Sequence, residues 1–302
     1  EIAKTLQYNG INYLAVAYTD EGVELRDSQI KLPIMVMNPE IDSLDDIITY
    51  QLEPEIYSIR ILNEFINCLN KYAISEPYPI HLKIDTGMHR LGFEENNIDE
   101  LISILNKNNQ LKIASIFSHL VGSDNPNLDE FTNHQIKIFN AITSKIETEL
   151  KCTTLKHICN SGGITRFKNA HFDMVRLGIG MYGIGVNIEE QNSLQHVGKL
   201  STKISQIKKV NKNESIGYNR NAIAENNITI ATIPIGYADG FNRQLGNGKH
   251  GVYINNTFCK TIGNICMDMC MVDVTAINCN EGDEVIIFSN TIELTQIANA
   301  LN

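Results

Sequence analysis

A chain of 302 residues is too long for one ordinary small domain and fits a large domain followed by a smaller one. Hydrophobic residues make up 43% of the chain and charged residues 20%, a balance that allows a sizeable core and excludes a disordered protein. The formal net charge of −10 repels phosphate backbones, so we expect no nucleic-acid partner, although a local basic pocket for a small anion is compatible with this charge.

The first part of the chain alternates short apolar runs with helical patterns. Residues 1–7 look like part of a helix, and seven apolar runs predict strands at 13–17, 33–37, 54–57, 80–85, 114–119, 155–159 and 174–178. Two sets of apolar residues spaced by three and four predict amphipathic helices, and they are Ile61, Leu62, Phe65, Ile66, Leu69 and Phe131, Ile138, Phe139, Ile142, Ile146, Leu150. Such alternation predicts a TIM-like β/α barrel over residues 1–188 that lacks its first strand. An open, doubly wound sheet is the competing architecture.

The pattern changes after about residue 188. Residues 227–233 alternate with a period of two, and 284–288 reads as another strand. The segment 252–258 has Asn255 and Asn256 at its centre, which predicts a hairpin with a tight turn. A helical pattern of apolar residues reappears only at the end of the chain. Residues 189–302 therefore predict a second, mainly β domain.

The cysteines and the hydropathy indicate the compartment. The seven cysteines are odd in number and form no Cys-x-x-Cys pair, so we expect neither a disulfide framework nor a metal site. No apolar stretch reaches the length that crosses a membrane, and the first residues do not resemble a signal peptide. These features predict a cytoplasmic protein with no membrane partner.

Polar residues follow the predicted barrel strands, where barrel enzymes place their chemistry. Lys83 and Arg90 follow one strand, His119 the next, and then come 160–163 and 176–179. Small and hydroxyl residues with nearby cations suit a bound phosphate.

Taken singly, these residues also have ordinary structural explanations. His119 could be a hydrogen-bonded core histidine, Arg176 one half of a structural ion pair, and Lys83 a side chain with its amine in solvent.

The motifs are much more specific in combination. They are YLAVAYTDEGVELR (13–26), IHLKIDTGMHRLGF (80–93), FDMVRLGIGMYG (172–183), IPIGYADG (233–240) and GNICMDM (263–269). In this order and spacing, the sequence resembles alanine racemases that depend on pyridoxal 5′-phosphate. The sequences of these motifs most resemble the racemase part of bifunctional peptidoglycan ligase/alanine racemase proteins.

The resemblance implies a cofactor site, and its residues are His119, Asn160, Ser161, Arg176, Gly178 and Ile179. In the family, Ser161 and the backbone near Ile179 hold the phosphate, and Arg176 faces the pyridine nitrogen. A cation at that nitrogen keeps it unprotonated and restrains side reactions. His119 matches the residue that supports Arg176, and Asn160 lies beside the phosphate residue.

The resemblance also implies a substrate site for an amino acid. Tyr218 matches the acid/base on one face of the substrate Cα, because racemisation needs one proton-transfer group on each face. Arg90 matches the carboxylate-binding arginine, and Lys83 a lysine that is often carbamylated. Met267 matches a residue of the substrate pocket and Tyr237 one at its entrance. The implied enzyme is a homodimer with shared sites that interconverts L- and D-alanine for peptidoglycan.

Two departures from the family pattern bear on activity. The cofactor lysine would precede the helix that opens this chain, and Lys4 is not its equivalent. A phosphate-binding tyrosine would fall after Asn302. We therefore expect the chain by itself to be inactive. Two alternatives to the racemase are a pyridoxal-phosphate decarboxylase with a similar barrel and a non-catalytic racemase-like domain.

Overall fold

A computed structural model describes residues 1–289 and 294–301 of the chain. These residues form two compact units. The first contains Glu1–Met181 and Gly185–Glu190, and the second contains Tyr182–Ile184 and the described residues from Gln191 onward. The domain boundary at residue 188 stays a prediction.

The first unit is built on a six-stranded parallel sheet whose strands neighbour one another in chain order. The strands are β1 (Leu14–Val16), β2 (Ile34–Val36), β3 (Glu53–Ile56), β4 (Tyr78–Lys83), β5 (Leu111–Phe117) and β6 (Leu155–His157). This order, without the reversal of a doubly wound sheet, forms a curled, TIM-like half-barrel. The barrel prediction is confirmed, and the doubly wound alternative is wrong.

Helices connect the strands. They are α1 (Ile2–Tyr8), α2 (Thr19–Asp27), α3 (Leu44–Thr49), α4 (Ile59–Leu69), α5 (Ile98–Asn106), α6 (Asp129–Leu150) and α7 (Ser161–Arg166), followed by α8 (Ile188–Ser193) after the sheet. Helix α4 begins where Ser58 Oγ accepts a hydrogen bond from Ile61 N at 3.3 Å, and its predicted apolar stripe packs into the core. The second predicted helix is α6, whose stripe also packs into the core except for Phe131, which is exposed.

The alternation of side chains separates two faces of this sheet. Ile80, Leu82 and Ile84 belong to the hydrophobic core that the helices share. Between them, His81 and Lys83 point to the opposite face, which a barrel encloses. That inner face is mainly polar, and its residues on β3 to β6 are Glu53, Glu55, His81, Lys83, Ser115, Phe117 and His157.

The seventh predicted strand, 174–178, is wrong. Arg176 N donates to Cys159 O at 3.0 Å, so the segment does run beside the end of β6. Gly178 N then donates to the Ser161 hydroxyl at 3.0 Å instead of to a strand carbonyl. The backbone leaves the sheet because the Ser161 hydroxyl takes the place of the strand carbonyl that would otherwise accept from Gly178 N.

The second unit is mainly antiparallel β, as predicted. Its strands are β7 (Leu200–Lys203), β8 (Gln206–Val210), β9 (Ser215–Ile216), β10 (Ala222–Ile223), β11 (Ile228–Ile233), β12 (Gly251–Ile254), β13 (Thr257–Lys260), β14 (Cys270–Asp273) and β15 (Glu284–Phe288). They form sheets of two, three and four strands, ordered β10-β9, β14-β11-β8 and β13-β12-β15-β7. The helix predicted at the chain end is α9 (Leu294–Leu301); Asn302 lies outside the described residues.

Three features concern the chain as a whole. No helix within 1–289 and 294–301 is long and apolar enough to cross a membrane. In the same residues, no three His, Cys, Asp or Glu side chains are grouped as metal ligands. All seven cysteines are free thiols.

The predicted hairpin is confirmed. Strands β12 and β13 pair in register from Gly251 and Lys260 to Ile254 and Thr257. The two turn residues have φ of 48° at Asn255 and 61° at Asn256. Asparagine tolerates this left-handed conformation, whereas β-branched residues do not.

We expect Asn256→Val to lower the free energy of unfolding by about 1–2 kcal/mol, because a β-branched residue in the left-handed region is strained. Asn256→Gly should match or exceed the wild type. Urea unfolding followed by circular dichroism measures both, with Thr257→Val in the adjoining strand as a control. Equal stability of the Val and Gly variants at position 256 would contradict the prediction.

Candidate active site

Arg176 is the central cation of the first unit. Its Nη2 donates to the carbonyl oxygens of Ser118 at 2.6 Å and of Ile158 at 3.2 Å. Its Nη1 donates to His157 Nδ1 at 2.5 Å. Burial lowers the pKa of Arg176 to about 10, so the guanidinium stays charged at neutral pH. Donors on both Nη atoms therefore fix the orientation of the cation.

The contact with Arg176 decides which nitrogen of His157 carries the proton. A guanidinium has no acceptor, so His157 Nδ1 must accept and its proton must be on Nε2. Nε2 lies 2.9 Å from Ser115 Oγ and donates to it. Burial, followed by the charge of Arg176, lowers the pKa of His157 well below its ordinary value, which agrees with a neutral ring.

The same direction of donation continues along the inner face of the sheet. Ser115 Oγ, which accepts from His157, lies 2.6 Å from His81 Nδ1 and donates to it, because the proton of this buried hydroxyl has no other acceptor among the described residues. His81 Nε2 lies 2.8 Å from a carboxylate oxygen of Glu53, which also accepts from the Tyr13 hydroxyl at 3.1 Å. A one-way chain of donors thus runs from the guanidinium to a carboxylate.

Two further predicted site residues lie close to Arg176. The Lys83 amine is 4.3 Å from the centre of the Phe117 ring, and the guanidinium carbon is 5.2 Å from the same centre. His119 Nδ1 is 3.4 Å from Arg176 Nη2. Burial and the charge of Arg176 lower the pKa of His119 to about 3, and burial lowers that of Lys83 to about 8. The structure thus brings Lys83, His119 and Arg176 together.

Ser161 is placed between the start of α7 and the segment that carries Gly178. Its hydroxyl oxygen accepts from Gly178 N at 3.0 Å and from Gly180 N at 3.3 Å. Ile179 begins the turn after Gly178, and its side chain is exposed. These groups form a cradle of one hydroxyl and backbone N–H groups.

Asn160 has a structural task in this arrangement. Its Oδ1 caps α7 by accepting from Gly163 N at 3.0 Å and also accepts from Ser123 Oγ at 2.6 Å. Its Nδ2 donates to Leu120 O at 3.2 Å. The amide therefore positions Ser161 through the helix start.

Arg90 lies on an exposed loop after β4. Asp85 Oδ1 anchors that loop by accepting from the backbone N–H groups of residues 87–89, at 2.8 to 3.1 Å. The charge of Arg90 lowers the pKa of both His119 and Lys83, so its guanidinium belongs to the same electrostatic cluster.

Three predicted site residues belong to the second unit. Tyr218 is 69% exposed, and Asn264 Nδ2 donates to its carbonyl oxygen at 3.3 Å. Tyr237 N donates to Cys266 O at 3.1 Å, and the next N–H donates to Met267 O at 3.0 Å. Tyr218 and Cys266 line one cavity of about 500 Å³. The loop 263–269 therefore gathers Tyr218, Tyr237 and Met267.

The sequence reasoning missed the polar interior behind the cations. His81, Ser115 and His157 were contained in predicted strands, Glu53 directly preceded the predicted strand 54–57, and none of the four was given a role. A usable signal existed, because period-two alternation puts polar residues on the enclosed face of strands whose other face is apolar.

The first unit is a parallel half-barrel with cations and the Ser161 hydroxyl after its strands, and an antiparallel unit follows it in the chain. These features define a barrel enzyme for an anionic ligand. The alanine racemase N-terminal domain matches residues 1–185, and the alanine racemase C-terminal domain matches residues 197–302. The chain belongs to the alanine racemase family.

Named relatives support this assignment. Alanine racemase 2 of Caldanaerobacter subterraneus subsp. tengcongensis is 35% identical over 292 residues, which cover 95% of this chain and 74% of that protein. Alanine racemase of Clostridium kluyveri is 36% identical over 296 residues, with the same coverage. These matches favour the racemase over the decarboxylase.

Solved structures agree with the fold. Alanine racemase of Clostridium difficile 630 superposes with a TM-score of 0.90 at 32% identity, covering 99% of this chain and 79% of that one. Alanine racemase from Bartonella henselae with covalently bound pyridoxal phosphate gives 0.87 at 26% identity, with coverage of 100% and 82%.

The depressed pKa of His157 predicts a loss of stability in acid. The unfolded chain takes up a proton near pH 6.5, whereas the folded ring does not, so stability falls as the pH drops below 6.5. This residue should contribute about 1.4 kcal/mol per pH unit to that fall. Urea unfolding of His157→Gln at pH 6.5 and pH 5 should show a smaller decrease than the wild type.

His134→Gln on the exposed face of α6 is the matched control and should keep the wild-type pH dependence. If His157→Gln and the wild type lose stability equally between pH 6.5 and pH 5, His157 does not remain neutral in the fold.

Proposed function

We propose that this chain interconverts L- and D-alanine with pyridoxal 5′-phosphate, and so supplies D-alanine for peptidoglycan. The observation that carries the proposal is the match of both parts of the chain to alanine racemase. An amino-acid racemase is an isomerase. No finding bears out the expectation that the chain by itself is inactive, and no finding favours a non-catalytic domain.

The residues present fit the cofactor. Arg176 uses both Nη atoms, and its Nε–H has no hydrogen-bond partner in the described chain, so one donor is free for a ring nitrogen. Ser161 Oγ accepts from the N–H groups of Gly178 and Gly180, and its own hydroxyl proton has no acceptor among the described residues, so the hydroxyl can donate to a phosphate. A Cβ at Gly178 would meet Ser161 Oγ at 3.8 Å and nothing closer, so the cradle is open.

Arg176 serves the ring nitrogen as a donor that stays protonated, which keeps that nitrogen unprotonated. His119 supports Arg176 as a neutral imidazole. Asn160 holds the helix start that carries Ser161, and Ile179 adds backbone beside the phosphate. When bound, the cofactor withdraws electrons from the Cα of the attached amino acid and so acidifies its proton.

The substrate residues act on different atoms of the amino acid, the Cα and the carboxylate. Tyr218 transfers a proton at one face of the Cα, and its exposed phenol is free to approach a ligand. The cofactor lysine that the family resemblance implies would serve the opposite face. Arg90 binds the carboxylate, for which a guanidinium has matching geometry. Met267 bounds the substrate pocket and Tyr237 its entrance. Carbamylation of Lys83 stays a prediction of the family resemblance.

Two properties of the assembly belong to the proposal. The active unit is a homodimer in which Tyr218 and Met267 of one subunit complete the barrel site of its partner. The location is the cytoplasm, which the seven free thiols support because reducing compartments keep cysteines unpaired.

Tyr218→Phe in the cofactor-loaded enzyme should slow exchange of the α-proton of L-alanine with solvent by about 10²–10⁴-fold, because the ring stays and its proton acceptor is deleted. Cofactor affinity should change little. Washout of deuterium from L-[2-²H]alanine measures the exchange, and titration of absorbance measures the cofactor.

Tyr253→Phe, in strand β12 of the same unit, is the control and should exchange at the wild-type rate. Unchanged washout in Tyr218→Phe would remove Tyr218 from the mechanism.

Shared sites predict complementation between two inactive variants. A mixed dimer of Tyr218→Phe and Arg176→Ala has one site with an intact barrel and an intact partner tyrosine. Co-purification with two different tags should therefore give about half of the wild-type activity per dimer. Activity no higher than that of the parent variants would show that Tyr218 works within its own chain.

A further inference from the structure

Glu55 is a buried carboxylate without an assigned task. It lies on β3, where its register partner on β4 is His81, and it is 1% exposed. Neither oxygen of its carboxylate accepts a hydrogen bond from any residue in 1–289 or 294–301. A buried carboxylate without a partner is strongly unfavourable, so this position calls for a cation or donor.

Three cations act on Glu55. Burial raises its pKa to about 7, and the charges of Lys83, Arg176 and Arg90 oppose that rise, Lys83 most strongly. Lys83 is itself buried, and apart from Glu55 the anion that acts on it is Asp85. One oxygen of Asp85 is already committed to three N–H groups of its own loop. Glu55 is therefore the carboxylate free to balance this cluster.

The sheet places Glu55 within reach of Lys83. Glu55 pairs with His81, two residues before Lys83, so both side chains project from the same face of neighbouring strands. With strands about 4.8 Å apart and a rise of about 3.3 Å per residue, their Cα atoms lie about 8 Å apart. A glutamate and a lysine together span that distance.

We propose that Glu55 is a positioning residue that pairs with Lys83 beneath the barrel mouth and supplies the negative charge that holds Arg90 for the substrate carboxylate. Lys83 then works as an unmodified ammonium group, in place of the carbamate that the family resemblance predicts. This inference rests on the proposed function, in which Arg90 binds the carboxylate.

The proposal has a signature in pH, because the pair is ionic only while Glu55 is deprotonated and Lys83 is protonated. With pKa values of about 7 and about 8, this condition is best met near pH 7.5. The neighbouring titratable groups of the inner face are Glu53 and His81, which bond to each other, and His157 and His119, whose lowered pKa values keep them neutral near pH 7. Protonation of Glu55 as the pH falls from about 7.5 to 6 removes the anion beside Lys83. The KM for alanine should therefore rise over that range.

The test compares Glu55→Gln and Glu55→Asp with the wild type in the cofactor-loaded enzyme. At about pH 7.5, Glu55→Gln should raise the KM for L-alanine about tenfold with kcat within about threefold, because Arg90 binds ground and transition states alike. Its KM should lack the rise that the wild type shows as the pH falls from about 7.5 to 6. Glu55→Asp keeps the charge and should retain a pH-dependent KM. Asp99→Asn, at an exposed ion pair with Lys145, is the control and should match the wild type.

A KM for Glu55→Gln within twofold of the wild type, or one with the wild-type pH dependence, overturns the proposal. The wild-type enzyme supplies an independent measurement that no folding defect affects. In ¹³C-bicarbonate buffer it should give no carbamate resonance, and a lysine carbamate assigned to Lys83 would also overturn the proposal. Absence of alanine racemisation in the wild type would instead reject the proposed function, while the carbamate measurement would still decide the state of Lys83.

Discussion

Arg176 can only donate hydrogen bonds, and this constraint orders the interior of the first unit. Its Nη1 requires an acceptor from His157, which fixes the tautomer of that ring and the direction of every later link to Glu53. The cation is thereby connected to a part-buried carboxylate through hydrogen-bonded side chains. Since each polar atom along the path has a partner, the interior tolerates polar residues where an ordinary barrel packs branched aliphatic ones.

The inner face of the sheet contains two carboxylates in different situations. Glu53 receives hydrogen bonds from His81 and Tyr13, whereas Glu55 receives none from the described residues. Glu53 is the hydrogen-bonded end of a network, whereas Glu55 is a carboxylate whose neighbouring charges are cations. This difference separates a group that stabilises the fold from one that is available to respond to a ligand or to pH.

Periodicity made much of the fold predictable. The stripe of α4 and the Asn255-Asn256 hairpin depend on local rules, and both were predicted within a few residues. The segment 174–178 was mistaken for a strand because an apolar run does not reveal that a serine hydroxyl will take its N–H groups. The site cations were found because they follow predicted strands, and the family motifs then gave them roles. The chain from His157 to Glu53 was not, because its links join residues 28 to 42 positions apart and no local pattern encodes them.

The one-way chain also limits how this sequence can vary. Ser115 accepts from one imidazole and donates to another, a double task that among small side chains only a hydroxyl performs. Replacing His81 or His157 by an apolar residue leaves a buried hydroxyl unsatisfied, which in turn favours loss of the serine. The four positions from His157 to Glu53 therefore form one evolutionary unit, in which a change at one alters what is tolerated at the others.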